Sequence, residues 1–200
     1  MADKDLKLKD KLPAITVYCG ASEGSKSEYI AVATELGEIL AEEGIRLVYG
    51  GGDKGMMGAV SNTVHSNGGK VTGVIPDFMI ELEWANTDLE DLRIVYSMPE
   101  RKHMLLELGD GLITAPGGIG TMEEFFEALS WSQLRIHMKP IGILNTDGYY
   151  DPLLELLDKL IENEFVDPRT SELIVVDDDP RRLLEKMAEW EHHGAQKEIV

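Results

Sequence analysis

The sequence is poor in the residues that build disulfide-linked, metal-cluster and membrane proteins. Cys19 is its one cysteine, which excludes an intramolecular disulfide and a cysteine-rich metal site. We interpret Cys19 as a small apolar residue at a strand end. No apolar run is long enough to span a membrane, and residues 1–11 lack the apolar core of a signal peptide. We therefore expect a cytoplasmic protein with no membrane partner.

Positive charge is also scarce. Nineteen Lys and Arg stand against 37 Asp and Glu, so the formal net charge is −18. The basic residues are scattered along the chain, and this distribution disfavours binding to nucleic acid. A small anion held by local donors remains compatible with the charge.

The chain is long enough for one hydrophobic core, and we predict a single domain over residues 1–200. Residues 1–12 and 192–200 are polar ends that we expect to be loose. The adjacent His192 and His193 could bind a metal ion, or they could belong to a solvated tail.

Short apolar runs alternate with stretches of helical periodicity. The predicted strands are Ala14–Cys19, Arg46–Tyr49, Lys70–Ile75, Leu92–Tyr96, Gly111–Ala115, Pro140–Leu144 and Leu173–Val176. The predicted helices are Glu28–Glu43, Gly55–Ser66, Glu100–Leu108, Thr121–His137, Asp151–Asn163 and Pro180–Glu191. This alternation predicts an α/β fold, a Rossmann-like, doubly wound open parallel sheet in three layers with helices on both faces.

Unusual loops follow five of these strands. They are Gly20–Gly24, Gly50–Gly52, Pro76–Glu83, Ser97–Lys102 and the turn that begins at Pro116. Ligands of open parallel sheets bind outside the carboxyl ends of the strands, where the strand order reverses. We therefore expect the binding site at this edge.

The turn Pro116–Thr121 is typical of a phosphate site. Its three glycines let the backbone approach an anion, and Thr121 adds a hydroxyl beside the unpaired amides of a helix start. Alternatively, Glu123 and Glu124 belong to an ordinary helix start, where acids are favourable.

Two further glycine loops resemble nucleotide motifs incompletely. Gly50–Gly55 fits the dinucleotide fingerprint G-x-G-x-x-G, but it follows the second strand, and Asp77 is a poorly placed ribose acid. One alternative is a tight structural turn. We favour another, in which Gly51 and Gly52 line a mononucleotide pocket. Residues 20–27 are one residue short of the P-loop spacing, so we do not predict an ATPase.

Within that first loop, Ser22 and Gly24 could offer a hydroxyl and an amide to a ligand, whereas Ser27 could cap the next helix. Arg101 and Lys102 lie at another helix start, where cations are mildly unfavourable. An anionic or sugar ligand would explain these cations, and a solvated charged turn is the alternative.

The motifs Met98-x-x-Arg101-Lys102 and Pro116-Gly117-Gly118-x-Gly120-Thr121-x-x-Glu124 together resemble the signature of the LONELY GUY family. This family comprises cytokinin riboside 5′-monophosphate phosphoribohydrolases that were formerly taken for lysine decarboxylases. The resemblance runs from about Ile15 to Phe165 and includes Asn145-x-x-Gly148-Tyr149-Tyr150.

The resemblance implies a homodimer that hydrolyses the N-glycosidic bond of an adenine-type nucleoside 5′-monophosphate. It implies that Arg101 and Glu124 are the catalytic pair. It also implies substrate contacts from Glu83, Met98, Lys102, Gly117, Gly118, Ile119, Gly120, Thr121, Met122 and Glu123.

In this interpretation Glu124 stabilises positive charge on the ribose and activates water, with no metal and no other cofactor. Two alternatives remain open. One is a non-catalytic protein that binds or carries a nucleotide or a nucleotide cofactor, and the other is an NAD-dependent oxidoreductase. The residues favour neither prenylated nor plain adenine.

Overall fold

The computed structural model describes residues 7–81 and 85–192, and at its centre lies a sheet of seven parallel strands. The strands are β1 Ala14–Tyr18, β2 Arg46–Tyr49, β3 Val71–Pro76, β4 Asp91–Val95, β5 Gly111–Thr114, β6 Ile141–Leu144 and β7 Ile174–Asp177. Most are buried and rich in apolar residues, as in a sheet covered on both faces. The predicted α/β fold is confirmed, and every predicted strand lies within one residue of an observed one.

The described residues form eight α-helices. They are α1 Leu8–Lys11, α2 Ser27–Glu43, α3 Gly55–Ser66, α4 Asp77–Glu81, α5 Met98–Leu108, α6 Ile119–Gln133, α7 Asp151–Glu162 and α8 Pro180–Glu189. Helices α2, α3 and α8 pack on one face of the sheet, and α5, α6 and α7 pack on the other. In the described ranges, no helix has the length and apolar content that a bilayer crossing requires.

The strand order is β4-β3-β2-β1-β5-β6-β7, so the order reverses between β1 and β5. In the register of this pair, Tyr18 lies beside Thr114. The loops that follow the two strands therefore face each other. The amide of Gly20 donates to the carbonyl of Pro116 at 3.0 Å and joins them.

Three predicted helix features were wrong. Helix α6 ends at Gln133 rather than His137 because Arg135 adopts φ 55°, which a right-handed helix cannot include. Ser27 is not a cap, since it is the first helical residue and its hydroxyl bonds to Glu28. Residues 77–81, expected in a loop, form α4.

The chain ends are more structured than expected. Residues 8–11 form α1, and Leu12 is 3% exposed within the core. At the other end, Nε2 of His192 lies 3.4 Å from Oγ of Ser132. His193 lies outside the described residues. Cys19 follows β1 directly and is buried with a free thiol.

Candidate active site

A cavity of about 460 Å³ opens where the strand order reverses. The loops after β1 and β5 form its walls, together with the first turns of α3 and α6 and a side chain from α5. Eight of the predicted site residues line it: Ser22, Gly24, Arg101, Gly117, Gly118, Gly120, Thr121 and Glu124. The fold therefore brings residues about a hundred positions apart into one cavity, as the strand-end argument predicts.

Arg101 and Glu124 form a buried ion pair in this cavity. Nη1 of Arg101 lies 3.3 Å from Oε1 of Glu124, and each side chain is about one-tenth exposed. The remaining guanidinium nitrogens donate to backbone carbonyls, Nε to Val74 at 3.1 Å and Nη2 to Gly50 at 3.0 Å. The residue after β2 and a residue within β3 thus fix the position of Arg101, so this side chain does not belong to a solvated turn.

The carboxyl group of Glu124 has an unusual affinity for protons. Burial raises its pKa to about 7, against the opposing effect of the Arg101 guanidinium. Oε1 accepts from Arg101, whereas Oε2 accepts no hydrogen bond from the described residues. The group can therefore exchange a proton near neutral pH and has one oxygen available for a ligand or water.

The start of α6 provides donors for an anion. The amides in the first turn of a helix have no intrahelical acceptor. The N-cap of α6 is Gly118, which has no side chain to accept their hydrogen bonds. The hydroxyl of Thr121, 4% exposed, has no hydrogen-bond partner among the described residues. A Cβ on Gly117 would lie 2.2 Å from that hydroxyl oxygen, so a side chain at Gly117 would obstruct it.

Three consecutive carbonyls hold the backbone of this turn. Tyr150 donates to Ala115 at 2.7 Å, the Gly20 amide donates to Pro116, and Tyr149 donates to Gly117 at 2.6 Å. Because all three carbonyls are bound from behind, the amides that follow keep a fixed direction. This arrangement suits a preorganised anion site.

Lys102 does not line the cavity. Its ammonium lies 2.9 Å from Glu123 and 2.7 Å from Glu127, and it joins α5 to α6. The hydrogen bonds to Glu127 and Glu123 raise the pKa of Lys102 above its usual value. Lys102 and Glu123 thus form an ion pair with each other. Their contact with substrate stays a prediction.

The other predicted substrate residues lie apart from the main cavity. Ile119 is 87% exposed, and Met122 packs against the core beneath α6. Met98 begins α5. Neither Gly51 nor any of these three lines the cavity, and Glu83 lies outside the described residues.

A second, more apolar cavity of about 280 Å³ adjoins the first. Its lining includes Gly52, Met57, Ile75 and Met79, and it shares Arg101 with the main cavity. A Cβ on Gly50 would lie 2.1 Å from Nη2 of Arg101. The guanidinium therefore takes the space in front of the triple glycine, where the dinucleotide interpretation would put a pyrophosphate.

Sequence reasoning gave no role to the tyrosines of this site. Tyr18, Tyr29 and Tyr149 line the main cavity, and the hydroxyl of Tyr150 donates to the carbonyl of Ala115 behind the turn Pro116–Thr121. Tyr149 and Tyr150 could have been predicted, because they follow a turn after β6 at residues 145–148. This turn lies at the same sheet edge as the five loops. Nothing in the sequence indicated a role for Tyr18, because this residue belongs to a buried strand.

No group of three or more His, Cys, Asp or Glu is placed to hold a metal ion in residues 7–81 and 85–192. The polar groups that meet in the cavity are an arginine, a carboxyl group, hydroxyls and backbone amides. Such a set can bind a phosphate ester and move a proton.

Comparison with known proteins places the chain among characterised sequences. Residues 57–187 match the family model described as possible lysine decarboxylase. A probable cytokinin riboside 5′-monophosphate phosphoribohydrolase of Oryza sativa subsp. japonica is 46% identical over 88% of this chain and 72% of its own length. A cytokinin riboside 5′-monophosphate phosphoribohydrolase of Arabidopsis thaliana is 42% identical over 91% of this chain and 85% of its own.

Solved structures share the architecture at lower identity. The molybdenum cofactor binding protein of Rippkaea orientalis aligns with a TM-score of 0.67 at 21% identity, covering 88% of this chain and 96% of that one. The molybdenum cofactor carrier protein of Chlamydomonas reinhardtii aligns with a TM-score of 0.66 at 20% identity, covering 89% and 97%. At these identities the likeness shows the fold alone.

Proposed function

The chain belongs to the family of cytokinin riboside 5′-monophosphate phosphoribohydrolases, and from this membership we propose that its main cavity binds an adenine-type nucleoside 5′-monophosphate. The cavity hydrolyses the N-glycosidic bond and releases the free base and ribose 5-phosphate. The observation that carries this proposal is the buried Arg101–Glu124 pair beside the uncapped start of α6.

The 5′-phosphate binds at the turn Gly117–Thr121. Unpaired amides, the positive end of the α6 dipole and the Thr121 hydroxyl supply donors there. Ser22 and Gly24 bind from the opposite wall. With the phosphate held, the sugar extends toward Glu124, and a nucleoside without phosphate is a poor substrate.

Glu124 carries the chemistry. Departure of the base leaves positive charge on the ribose, and a carboxylate beside the anomeric carbon stabilises that charge more in the transition state than in the bound substrate. The same carboxylate accepts a proton from the attacking water, as the base of an inverting glycosidase does. A pKa of about 7 suits this transfer at neutral pH.

Arg101 orients the carboxylate and the substrate. Its two bonds to backbone carbonyls keep the guanidinium fixed, so it holds Glu124 and faces the sugar hydroxyls without reorganising. Contacts from Glu83, Met98 and Lys102 remain part of the proposal. The proposed mechanism also needs no metal ion and no other cofactor.

The base extends from the main cavity toward the apolar one that it adjoins. Met57, Ile75 and Met79 give that side an apolar lining, beside the charged residues Asp53, Lys54 and Arg101. A prenyl chain on the adenine gains from burial there. The proposal therefore favours a prenylated adenylate over plain AMP.

The test measures the release of free base from AMP, isopentenyl-AMP and adenosine. We expect turnover of both nucleotides, higher kcat/KM for isopentenyl-AMP, and little turnover of adenosine. Glu124→Gln and Arg101→Ala should each lower kcat by on the order of 10²-fold or more. Glu107→Gln makes the same chemical change on an exposed side chain of α5 and should leave kcat unchanged.

A carrier protein would give a different pattern. Calorimetry would detect nucleotide binding, but no free base would appear with the unsubstituted protein. Full turnover by Glu124→Gln would remove this carboxyl group from the chemistry, and activity that a chelator abolished would contradict the metal-free scheme.

The homodimer that the family resemblance implies also belongs to the proposal. Ile119, Phe126 and Leu134 succeed one another at seven- and eight-residue spacing along α6 and its cap, and all three are exposed. We assign this apolar stripe to contact with a second copy of the chain. The cytoplasmic location likewise stays a proposal and agrees with the free thiol of Cys19.

A further inference from the structure

Tyr18 is a buried side chain of the main cavity with a polar hydroxyl to which the proposed mechanism gives no role. It is the last residue of β1 and is 4% exposed. Its hydroxyl has no hydrogen-bond partner among the described residues, yet it is not among the fully enclosed oxygen atoms. A phenol buried to this degree normally has a partner. A molecule bound in the cavity that Tyr18 lines can supply that partner.

The surroundings of the phenol are those of the reaction centre. Burial raises the pKa of Tyr18 far above its usual value, the carboxylates of Glu124 and Glu127 raise it further, and Arg101 opposes them. The phenol therefore keeps its proton at every physiological pH and can both donate and accept a hydrogen bond. Glu124 lines the same cavity as Tyr18. While its carboxyl group is ionised, Oε2 can only accept hydrogen bonds, and it too has no partner among the described residues.

One small molecule satisfies both groups. A water molecule can accept a hydrogen bond from the Tyr18 hydroxyl and donate one to Oε2 of Glu124, which leaves its second lone pair free. We propose that Tyr18 and Glu124 together hold the water that attacks the anomeric carbon, so that Tyr18 is a further catalytic residue of this site. This inference rests on the proposed hydrolase function.

The chemical step balances with these two residues. The water oxygen forms a bond to C1′ while the bond from C1′ to the purine nitrogen breaks and leaves its electron pair on the purine. The proton that the water loses passes to Glu124, and the purine takes up a proton from solvent. Tyr18 donates to the water oxygen throughout and remains protonated.

Tyr18→Phe removes only the hydroxyl, and it should lower kcat for AMP by on the order of tenfold to a hundredfold with KM unchanged. Tyr49→Phe is the matched control, because Tyr49 is a fully buried tyrosine at the end of β2 that lines neither cavity. Thermal unfolding of both variants checks that each one folds.

The decisive measurement is competition between water and methanol as the nucleophile. At a fixed methanol concentration, the ratio of methyl riboside 5-phosphate to ribose 5-phosphate should rise severalfold in Tyr18→Phe, because the bound water loses its second anchor. A lower kcat with an unchanged ratio would overturn the proposal and make the hydroxyl structural. An effect of Tyr18→Phe that vanished with 2′-deoxy-AMP would also overturn it, because the hydroxyl would then bind the sugar.

The wild-type protein separates this inference from the function on which it rests. If wild type released no base from any adenylate, both would fail. If wild type were active and Tyr18→Phe equalled it in kcat and in product ratio, only the role of Tyr18 would be lost.

Discussion

At Glu124, two environments act on one carboxyl group in opposite directions. Burial favours the protonated form, and the Arg101 guanidinium at 3.3 Å favours the ionised form. Burial prevails, so the pKa is about 7 rather than near 4. A carboxylate with this pKa accepts a proton readily at neutral pH, whereas an exposed glutamate is too weak a base.

The pH dependence of turnover follows from this pKa. In the proposed mechanism the ionised carboxylate is the active form, so kcat should fall as the pH drops through about 7, tenfold for each further unit, and should be level above it. A profile of kcat between pH 5 and 9 measures this limb. The AMP phosphate titrates near pH ~6, but its effect falls mainly on kcat/KM.

Glu124→Gln supplies the control for that profile. Glutamine does not titrate, so the residual activity of this variant should show no acid limb near neutral pH. An acid limb near 7 that persisted in Glu124→Gln would assign the titration to another group. A limb near pH ~4 in wild type would mean that the carboxyl group is not desolvated in the complex.

At the scale of elements, the turn Pro116–Thr121 is held in place by a segment that follows a different strand. Tyr149 and Tyr150 come from the turn after β6, and their hydroxyls bind the carbonyls of Gly117 and Ala115. The ring of Tyr149 also packs edge-on against Tyr29 of α2, with centroids 5.5 Å apart. Lys26 at the start of α2 pairs with Asp147 of the same turn. The candidate anion site is thus positioned by two elements besides its own helix, namely the turn after β6 and α2.

Tyr149→Phe should weaken the phosphate site selectively. Loss of one hydrogen bond costs about 1 kcal/mol, so the KM for AMP should rise about threefold to tenfold. The kcat/KM for adenosine, which has no phosphate, should not change, so the preference for AMP over adenosine should fall. Tyr96→Phe alters a tyrosine that is 85% exposed and serves as the control. Equal losses for AMP and adenosine would contradict the assignment.

The local sequence pattern was sufficient to predict the strands and most helix starts. It failed where contacts between residues distant in sequence determine the structure. Buried parallel strands are continuous apolar runs, so each was predicted within one residue. The end of α6 was wrong because a positive φ at Arg135 leaves no trace in hydrophobic periodicity. The same limit hid Tyr18, since a tyrosine in a buried strand has the pattern of a core residue until its neighbours are known.

The candidate site was predicted in its glycine turn and its charged pair for a physical reason. Glycines clustered at a strand end and a cation at a helix start are locally unfavourable, so they indicate a function. The partners of these residues were not predictable in this way. That Lys102 joins Glu123 and Glu127, rather than lining the cavity, depends on how α5 and α6 pack.

At the scale of the whole molecule, the exposed stripe on α6 bears on assembly. Ile119 is 87% exposed and Leu134 50%, which is unusual for large apolar side chains placed regularly along a helix. Burial of this stripe against a second copy would remove it from water. The net charge of −18 opposes association, so the proposed contact relies on apolar area.

Phe126→Lys should therefore convert the proposed dimer into a monomer, because it places an unpaired charge in the centre of the stripe. Sedimentation velocity at several protein concentrations measures the change. Phe165→Lys alters another exposed phenylalanine, outside α6, and should leave the dimer intact. A wild-type protein that sediments as a monomer at all concentrations would remove the dimer from the proposal.

The reversal of strand order between β1 and β5 has a consequence for how the protein matures. Each wall of the main cavity comes from a different half of the sheet, with the loop after β1 on one side and the start of α6 on the other. A chain folded only from β1 to β4 would contain one wall of this cavity and would lack the turn at the start of α6. Under the proposed function, nucleotide binding therefore requires both halves of the sheet, and a bound nucleotide would help to keep the two halves together.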